Sequence, residues 1–388
     1  MEKIKVYHFH NGGGGGVLSV IKNLIKFSNN SNIENHIIYA VNKSLISNYV
    51  IEFIEGALTQ QIFYYTDKNN FYHTSKQLSA LLPNNNAVIV AHDWLELGMV
   101  SNLGLQNPVI QILHGNYNYY YELAQKNEGA INSFICISPT ISKTLKNILK
   151  DRNKDIFHIN FPVPFVEKKV QLNKSLRIIY YVSDLRDHNK QFNIIIEIAK
   201  KLSIEKTNFF FTIAGGGYSK ETFYKIWPIS MVNNVNYFQV ISNENILKLL
   251  PLQDIFLLPS TFEGLPVSLV ESMKAGLVPL VTDWDGAVNE LVINGFSGYY
   301  FKAGDVDGYV NTILNLNQNR DLLKRLSDNS SIKGNYFFNP FENTIKFETI
   351  FQIYSKQNYK KNKNKIYGSR LDQVWLPNKV TKFLRKII

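Results

Sequence analysis

Short apolar runs alternate with amphipathic stretches along most of this chain. A helical pattern covers 17–26, and apolar runs that predict strands lie at 3–9, 35–41, 87–91, 109–113 and 133–137. Runs of this length with few polar interruptions are typical of strands that are buried on both faces of a parallel sheet. The first part of the sequence therefore predicts a parallel sheet that helices cover on both sides.

The same alternation starts again near Leu176. Strands are predicted at 177–182, 208–214, 235–240, 254–260 and 277–281, and helices at 191–202, 219–226, 243–250 and 267–275. The segment from Phe161 to about Lys174 contains prolines and then polar residues, which indicates a linker. We therefore predict two α/β domains, over residues 1–165 and 175–339, with a cleft between them. In such sheets, ligands bind beyond the carboxyl ends of the strands.

Two further segments follow the second predicted domain. A helical pattern begins at Pro340 and occupies 340–356, and a basic tail occupies 357–388. Residues 359–388 contain nine basic residues and one acidic residue, Asp372, so they carry +8 of the formal net charge of +11. The positive charge therefore belongs to the tail and not to an extended nucleic-acid surface, and we expect no nucleic-acid partner.

The end of the tail has the pattern of an amphipathic helix that opens at Pro377. Its apolar face and the flanking cations consist of Val380, Phe383, Leu384 and Ile387, with Lys379, Lys382, Arg385 and Lys386. Helices of this form lie in the membrane interface with their cations on anionic lipid. The pattern predicts attachment to an anionic membrane surface, whereas a disordered tail or a helix packed on the protein is the alternative.

The remaining composition indicates a cytoplasmic protein. No run of about 18 apolar residues occurs, so we expect no transmembrane helix. The chain begins with a strand pattern and not with a signal peptide. Its single cysteine, Cys136, lies in an apolar run, which predicts a role in core packing. With the tail included, we predict a location peripheral to the inner face of the cell membrane.

Two carboxylates, Glu263 and Glu271, lie eight residues apart across a predicted strand-to-helix junction. Pro266 suits the first position of that helix, where its missing N–H is not needed. The free N–H groups of a helix start favour a phosphate, and carboxylates accept hydrogen bonds from sugar hydroxyls. This combination favours a nucleotide sugar as the ligand.

The segment 259–276, PSTFEGLPVSLVESMKAG, resembles the E-x7-E signature of the GT-B glycosyltransferases of family 4. The similarity continues, in the expected order, with Pro279, Thr282, Asp283, Gly286, Glu290, Asn294, Gly295, Gly298, Gly304 and Asp305. It is strong over 250–305 and extends at fold level over 1–356. The resemblance implies a GT-B fold of two Rossmann-like domains, with the helix at 340–356 returning to the first domain. A common βαβ unit with two surface glutamates is the alternative.

The resemblance also implies an activity. Members of this family move a sugar from a nucleotide sugar to an acceptor hydroxyl with retention of configuration. We favour a UDP-sugar and the transfer of a hexosyl or N-acetylhexosaminyl group. The expected acceptor is a lipid-linked saccharide or a growing bacterial surface glycan, such as lipopolysaccharide or capsule. The family route is a front-face one, in which the leaving phosphate helps to deprotonate the acceptor.

The family pattern assigns roles to several residues of the second domain. Glu271 is expected to hold the ribose hydroxyls and Glu263 the hydroxyls of the donor sugar. The amides of Gly264 and Leu265 are expected to bind the diphosphate, and the second glycine turn, with Gly216, is expected close to the nucleotide. These assignments predict a donor site at the carboxyl end of the second sheet.

The cations that would neutralise the diphosphate depart from the family pattern. Lys190 follows the strand 177–182 and matches the family lysine. Ser183 and Asp184 stand where the family has Gly-Arg, and Arg186, two residues later, is the candidate substitute. This departure leaves open an altered or lost activity.

The first domain offers a glycine loop and two histidines. The run Gly12 to Gly16 follows a strand, and the family loop here lies near the donor phosphates, so we assign Gly15 and Gly16 to donor binding. A flexible surface loop is the alternative. His114 ends the strand 109–113 and resembles a family histidine near the reacting sugar, whereas His92, which ends 87–91, has more often a structural role.

We expect neither a metal nor another cofactor. Asp283 and Asp285 have the D-x-D form of metal-dependent transferases, but a loop after a strand is the preferred interpretation. No cluster of cysteine and histidine in the sequence suggests zinc. Two other functions stay open: a GT-B sugar-nucleotide epimerase, which would turn over donor without acceptor, and a non-enzymatic basic protein that binds nucleic acid or membrane.

Overall fold

The structure is a computed structural model of the 388-residue chain. It describes residues 3–13, 15–44, 51–83, 87–168, 172, 174–205, 209–284, 288–357, 361 and 367–387. The chain divides into two compact units. Unit 1 consists of Met1–Pro162 and Pro340–Ile388, and unit 2 of Val163–Asn339. Unit 1 is therefore built from both ends of the chain. The chain leaves unit 1 after Pro162 and returns to it at Pro340.

Unit 1 contains a seven-stranded parallel sheet in the order β3-β2-β1-β4-β5-β6-β7. The strands are β1 Ile4–His10, β2 Ile33–Asn42, β3 Thr59–Tyr65, β4 Ala87–Ala91, β5 Val109–Leu113, β6 Ser133–Cys136 and β7 Ile156–His158. Its central strands are apolar because helices cover both faces. Cys136 is fully buried in β6, as predicted.

Five α-helices lie between the strands of unit 1 in the described part of the chain. They are α1 Gly16–Lys26, α2 Phe71–Ser79, α3 Trp94–Leu103, α4 Asn118–Lys126 and α5 Pro139–Ile148. Helix α3 begins with a capping box, in which Asp93 caps the helix and the Glu96 side chain accepts from the Asp93 backbone N–H. This cap holds the two carboxylates at the carboxyl end of β4.

Unit 2 contains a six-stranded parallel sheet in the order β10-β9-β8-β11-β12-β13. Its strands are β8 Leu176–Asp184, β9 Phe209–Gly216, β10 Val235–Phe238, β11 Ile255–Leu258, β12 Val278–Thr282 and β13 Tyr299–Phe301. Its helices are α6 Phe192–Leu202, α7 Lys220–Ile226, α8 Asn243–Leu249, α9 Val267–Lys274, α10 Val288–Leu291, α11 Val306–Gln318 and α12 Arg320–Phe337. The predicted class, with two parallel α/β sheets, is confirmed.

The last two helices belong to unit 1. Helix α13 (Pro340–Ser355) packs on α1, β1 and β4, where Phe351 lies edge-on to the ring of His8. Helix α14 (Asn378–Ile387) docks at the start of α2 through hydrogen bonds. Among the described residues, no helix is both long enough and apolar enough to cross a membrane.

The junction between β11 and α9 differs by one residue from its prediction. Pro266 is the N-cap of α9 and not its first helical residue, because its ψ angle of 124° is extended. Val267 is therefore the first residue with helical geometry. The strand-turn-helix arrangement that was predicted around the two glutamates is otherwise present.

Candidate functional site

Glu271 lies on the buried side of α9 in unit 2 and is 3% exposed. Its Oε2 atom is 3.0 Å from the hydroxyl of Tyr181, at the end of β8, and its Oε1 atom accepts from Asn243 Nδ2 at 3.0 Å. Two neighbouring elements thus fix both carboxylate oxygens. A carboxylate held in this way can accept hydrogen bonds from a ligand without first becoming ordered.

Burial dominates the electrostatics of Glu271. It raises the pKa of the carboxyl to about 7, although hydrogen bonds from Asn243 and Tyr181 and the charge of Lys274 oppose the shift. Charged hydrogen bonds are roughly twice as strong as neutral ones. The strength with which Glu271 accepts a ligand hydroxyl therefore depends on pH near neutrality.

Lys274 lies one turn after Glu271 and is fully buried. Its Nζ atom donates to the carbonyl oxygens of Val163 at 2.7 Å and of Phe338 at 3.1 Å, which lie near the two ends of unit 2. Burial lowers the pKa of this lysine to about 7. Sequence reasoning missed this role. The signal that could have indicated it is a lysine at the end of the run 269–274 of α9, all of which is buried.

Glu263 and Lys190 form an ion pair in which the Lys190 ammonium bonds Glu263 Oε1. Both side chains are mostly buried. The loops that carry them are also joined by Asn189, whose carbonyl accepts from Thr261 N at 2.8 Å and whose side-chain amide donates to the Phe262 carbonyl at 2.6 Å. The structure thus brings two predicted site residues together at the carboxyl ends of the adjacent strands β8 and β11.

The start of α9 carries the other predicted donor contacts. Gly264 and Leu265 are buried immediately before the N-cap residue Pro266. Among the residues that the structure describes, no side chain caps this helix. Because the first N–H groups of a helix have no acceptor within it, an uncapped start is suited to an anion.

Arg186 forms an ion pair with Asp184. Asp184 stands where the family has an arginine, and Arg186 was expected to replace that arginine. Its guanidinium pairs with Asp184 at 2.8 Å, and its backbone N–H also donates to Asp184 Oδ1 at 2.8 Å. This pairing lowers the pKa of Asp184. Both side chains are exposed, so solvent weakens the pair.

The Asp184–Arg186 pair lies against the second glycine turn. Gly216, at the end of β9, accepts from Leu185 N at 3.0 Å. At the next residue, Gly217, φ is +98° and a Cβ would lie 2.1 Å from Asp184 Oδ1. Only glycine fits there, which brings the backbone of the turn close to the loop after β8.

The first glycine run precedes α1 in unit 1. Gly15 is the N-cap with φ +117°, which favours glycine, and open space surrounds the position of its missing Cβ. Gly16 is the first residue of the helix, and both residues are exposed. Gly14 lies outside the described residues. The start of α1 is therefore accessible, and no side chain in the described part of the chain caps it.

Four histidines gather at the carboxyl ends of β1, β4 and β5. His92 Nδ1 and His114 Nε2 are 2.7 Å apart, and His8 stacks on His92 with ring centroids 6.1 Å apart. Burial lowers the pKa of His114 to about 3 and that of His8 and His10 to about 4, and it also lowers the pKa of His92. The rings are therefore neutral at physiological pH, so one of the two nitrogens in the His92–His114 bond donates and the other accepts.

The capping residues of α3 complete this histidine cluster. Glu96 accepts from the backbone N–H groups of His92 and Asp93, each at 2.6 Å. Burial raises the pKa of Glu96 to about 8. The hydroxyl of Tyr119 donates to Asp93. Sequence reasoning did not select these residues, although the spacing of Asp93 and Glu96 is that of a capping box.

The predicted D-x-D motif is only partly within the described residues. Asp283 is exposed after β12, and Asp285 lies outside the described part of the chain. Within that part, histidine, cysteine, aspartate and glutamate side chains form no group of three or more that could hold a metal ion.

Residues 163–332, somewhat less than half of the chain, match a family model described as Glycosyl transferases group 1. The matched segment lies within unit 2 and contains Lys190, Glu263, Glu271 and Lys274. The similarity to glycosyltransferases is therefore centred on the unit that carries the two glutamates.

Two curated relatives are similar to parts of the chain. The UDP-Gal:alpha-D-GlcNAc-diphosphoundecaprenol alpha-1,3-galactosyltransferase of Escherichia coli is 31% identical over 107 residues, which are 28% of this chain and 26% of that protein. The N-acetyl-alpha-D-glucosaminyl L-malate synthase of Bacillus anthracis is 21% identical over 190 residues, 48% of each chain. The matches thus span about a quarter and about half of these relatives.

Solved structures resemble most of the chain. The pneumococcal O-GlcNAc transferase GtfA, in complex with UDP and GlcNAc, matches with a TM-score of 0.74 and covers 92% of this chain and 100% of its own. The sequence identity is 11%, so the likeness concerns the fold alone. With the two parallel sheets, it confirms the predicted GT-B fold class.

Proposed function

We propose that this protein is a glycosyltransferase that moves a sugar from a UDP-sugar to an acceptor hydroxyl. The observations that carry the proposal are the buried Glu271, fixed by Tyr181 and Asn243, and the Glu263–Lys190 ion pair in the same unit. All of these residues lie in the segment that matches group 1 glycosyltransferases. The names of two similar proteins, which contain UDP or UDP-Gal, support the choice of nucleotide.

Unit 2 binds the donor in this proposal. Glu271 accepts from the ribose hydroxyls, and Glu263 accepts from hydroxyls of the donor sugar. Lys190 has three N–H donors, so it can keep its bond to Glu263 while it binds a phosphate oxygen. The amides of Gly264 and Leu265 and the start of α9 hold the rest of the diphosphate, with Gly216 close to the nucleotide.

Charge development explains why the cation and the amides are needed. When the bond between the anomeric carbon and the phosphate oxygen breaks, the electron pair stays on the nucleoside diphosphate. Donors that are aimed at that oxygen stabilise the leaving group more in the transition state than in the ground state. The acceptor oxygen bonds the anomeric carbon on the same face, and its proton passes to the leaving phosphate, so configuration is retained.

Arg186 and Asp283 have different roles in this proposal. Arg186 is a cation for the donor, whereas Asp283 is not needed as a metal ligand. Arg186 is the second cation for the diphosphate, because solvent weakens its pair with Asp184 in the exposed loop and a guanidinium has further N–H groups for a phosphate. No divalent metal is required, since Lys190 and the uncapped helix start supply the positive potential. In unit 1, neutral His114 donates to or accepts from a sugar hydroxyl, with His92 holding its ring.

The transferred group is a hexosyl or N-acetylhexosaminyl group, and the acceptor is a surface glycan or a lipid-linked saccharide. The E. coli relative is named for a diphosphoundecaprenol-linked acceptor, which supports the lipid-linked choice. Such an acceptor also gives a reason for a cytoplasmic enzyme to lie at the inner face of the cell membrane.

Calorimetric titration with UDP, GDP, ADP and their common sugar conjugates tests the donor class. We expect one nucleotide family to bind, and a radiolabelled sugar to pass from that donor to an extracted lipid or glycan acceptor. Conversion of the donor to an isomer without acceptor would assign an epimerase instead. Absence of any nucleotide binding by folded protein would overturn the proposal.

A further inference from the structure

The C-terminal segment 367–387 is fastened to unit 1 by buried polar bonds. Asp372 is 3% exposed, accepts from the backbone N–H of Phe71 at 2.6 Å and pairs with Arg385 at 2.6 Å. Arg385 also donates to the carbonyl oxygens of Asp67 and Asn69. Arg385 therefore holds the tail on the protein and is not one of the outward cations, which corrects its predicted position beside the apolar face.

Asn70 forms the second part of this attachment. It is fully buried, and its Nδ2 atom lies within 3.3 Å of the Leu376 carbonyl and of Thr381 Oγ1 on α14. The backbone N–H of Asn70 donates to Asn378 at 2.8 Å. The inner side of α14 is thus polar and occupied by unit 1, which leaves its other side outward.

The outward side of the segment is apolar to an unusual degree. Its exposed large apolar residues are Val374 (61%), Trp375 (76%), Val380 (42%), Phe383 (62%) and Ile387 (67%). The helical ones recur at the spacing of one helix face. Large apolar side chains that are grouped and exposed mark a binding surface rather than an ordinary surface.

Three exposed lysines lie beside this apolar face: Lys379, Lys382 and Lys386. Residues 367–387 contain five basic residues and one acidic residue, a net charge of +4. The one acid, Asp372, is buried and bound to Arg385. The outward surface of the segment is therefore cationic as well as apolar.

We propose that this surface, the tail face (Val374, Trp375, Lys379, Val380, Lys382, Phe383, Lys386 and Ile387), binds an anionic lipid bilayer. Tryptophan and phenylalanine favour the headgroup boundary, aliphatic side chains enter the acyl region, and lysines lie on anionic headgroups. A nucleic acid would use the lysines but gain nothing from the aliphatic residues. Since the segment is already docked, it binds as a preformed face and loses little conformational entropy.

The proposal does not depend on sugar transfer, so the two can fail separately. Full-length protein is sedimented with vesicles of phosphatidylcholine and phosphatidylglycerol, and with vesicles of phosphatidylcholine alone. We expect binding to the anionic vesicles and a steep loss of binding at high salt. Emission of the exposed Trp375 should shift to the blue on binding, and Trp375→Phe should abolish that shift.

Two triple variants separate the charges from the apolar residues. Lys379→Gln with Lys382→Gln and Lys386→Gln should weaken binding about a hundredfold, at about 1 kcal/mol for each cation. Trp375→Ala with Phe383→Ala and Ile387→Ala should weaken it by about tenfold or more. All six side chains are exposed, so the fold should be retained.

Matched controls use exposed residues elsewhere. Lys143→Gln with Lys150→Gln and Lys200→Gln should bind like the wild type, and so should Ile204→Ala with Ile229→Ala and Tyr336→Ala. Unchanged binding in both tail-face variants, or no binding by the wild type, would overturn the proposal. Retention on single-stranded DNA without vesicle binding would assign the surface to nucleic acid instead.

Discussion

Lys190 and Glu263 form a mostly buried ion pair that links the loop after β8 to the loop after β11 in unit 2. The pair preorganises a cation and a carboxylate at the carboxyl ends of two adjacent strands. The Lys190 ammonium has three N–H donors, so an anionic ligand can accept from it while the bond to Glu263 is kept. Lys190 can therefore supply a positive charge to the diphosphate even though Asp184 stands where the family arginine was expected.

Removal of the Lys190 charge should weaken donor binding. A charged hydrogen bond contributes about 1.5–3 kcal/mol, so Lys190→Met should lower the affinity for the cognate nucleotide roughly ten- to a hundredfold. Isothermal titration measures the change. Lys201→Met is the matched control, because Lys201 also pairs with a carboxylate, Asp307, but on the exposed surface. Equal losses in the two variants would contradict the assignment.

Removal of the Glu271 carboxylate should weaken donor binding by a similar factor. Glu271→Ala loses a proposed charged hydrogen bond to the ribose, worth about 1.5–3 kcal/mol, so the affinity should fall roughly ten- to a hundredfold. Deoxyribose analogues should lose affinity in the wild type but not in this variant. Glu221→Ala, which removes an exposed carboxylate paired with Lys225, should bind normally. The assignment is wrong if folded Glu271→Ala also binds normally.

Nucleotide affinity should rise as the pH increases through about 7. Burial raises the pKa of Glu271 to about 7, so the carboxyl is protonated on the acid side and becomes a charged acceptor on the basic side. Charged acceptors bind hydroxyls more strongly, which gives the sign of the change. Titrations of the wild type and Glu271→Gln across this range separate the effect from ionisation of the nucleotide itself. A rise of the same size in both proteins would rule out Glu271 as its origin.

Transfer should not require a divalent metal. With excess EDTA, the rate of sugar transfer should stay the same, because Lys190 and the start of α9 supply the positive potential. Asp283→Ala and Asp285→Ala should likewise keep their activity. Loss of activity in EDTA that magnesium or manganese restores, together with the same loss in either variant, would overturn the metal-free route.

Release of the tail should follow removal of its buried acid. Asp372→Ala leaves the Arg385 charge without its carboxylate, which costs about 3 kcal/mol for a buried pair. Hydrogen exchange in α14 should accelerate about a hundredfold, whereas exchange in the sheets of both units should not change. Asp328→Ala is the control, because its pairs with Lys168 and Lys324 are exposed. Unchanged protection of α14 in Asp372→Ala would show that the Asp372–Arg385 pair does not hold the tail.

The sequence alone predicted the local structure of the β11–α9 region. An apolar run, a proline and a helical pattern predicted the strand, the turn and the helix that place Glu263 and Glu271. These signals are local, because burial on both faces selects apolar residues and helix starts select particular residue types. The edge strand β3 has a different pattern, with partly exposed residues throughout Thr59–Tyr65, and the apolar-run criterion did not detect it.

Side-chain partners were decided by the tertiary structure alone. Tyr181 and Asn243 come from other elements than Glu271, and Lys190 reaches Glu263 across 73 positions of sequence. Sequence periodicity specifies which face of an element is apolar, but not which distant side chain it will meet.

In the C-terminal segment too, the sequence predicted the helix, and the tertiary structure decided its side-chain contacts. Its sequence alone determined an amphipathic helix with a basic flank. Only the fold showed that Arg385 is bound to Asp372 and that Phe383 remains exposed. The physical reason is that a helical pattern is set by neighbours three and four residues apart, whereas burial depends on the surface onto which the helix docks.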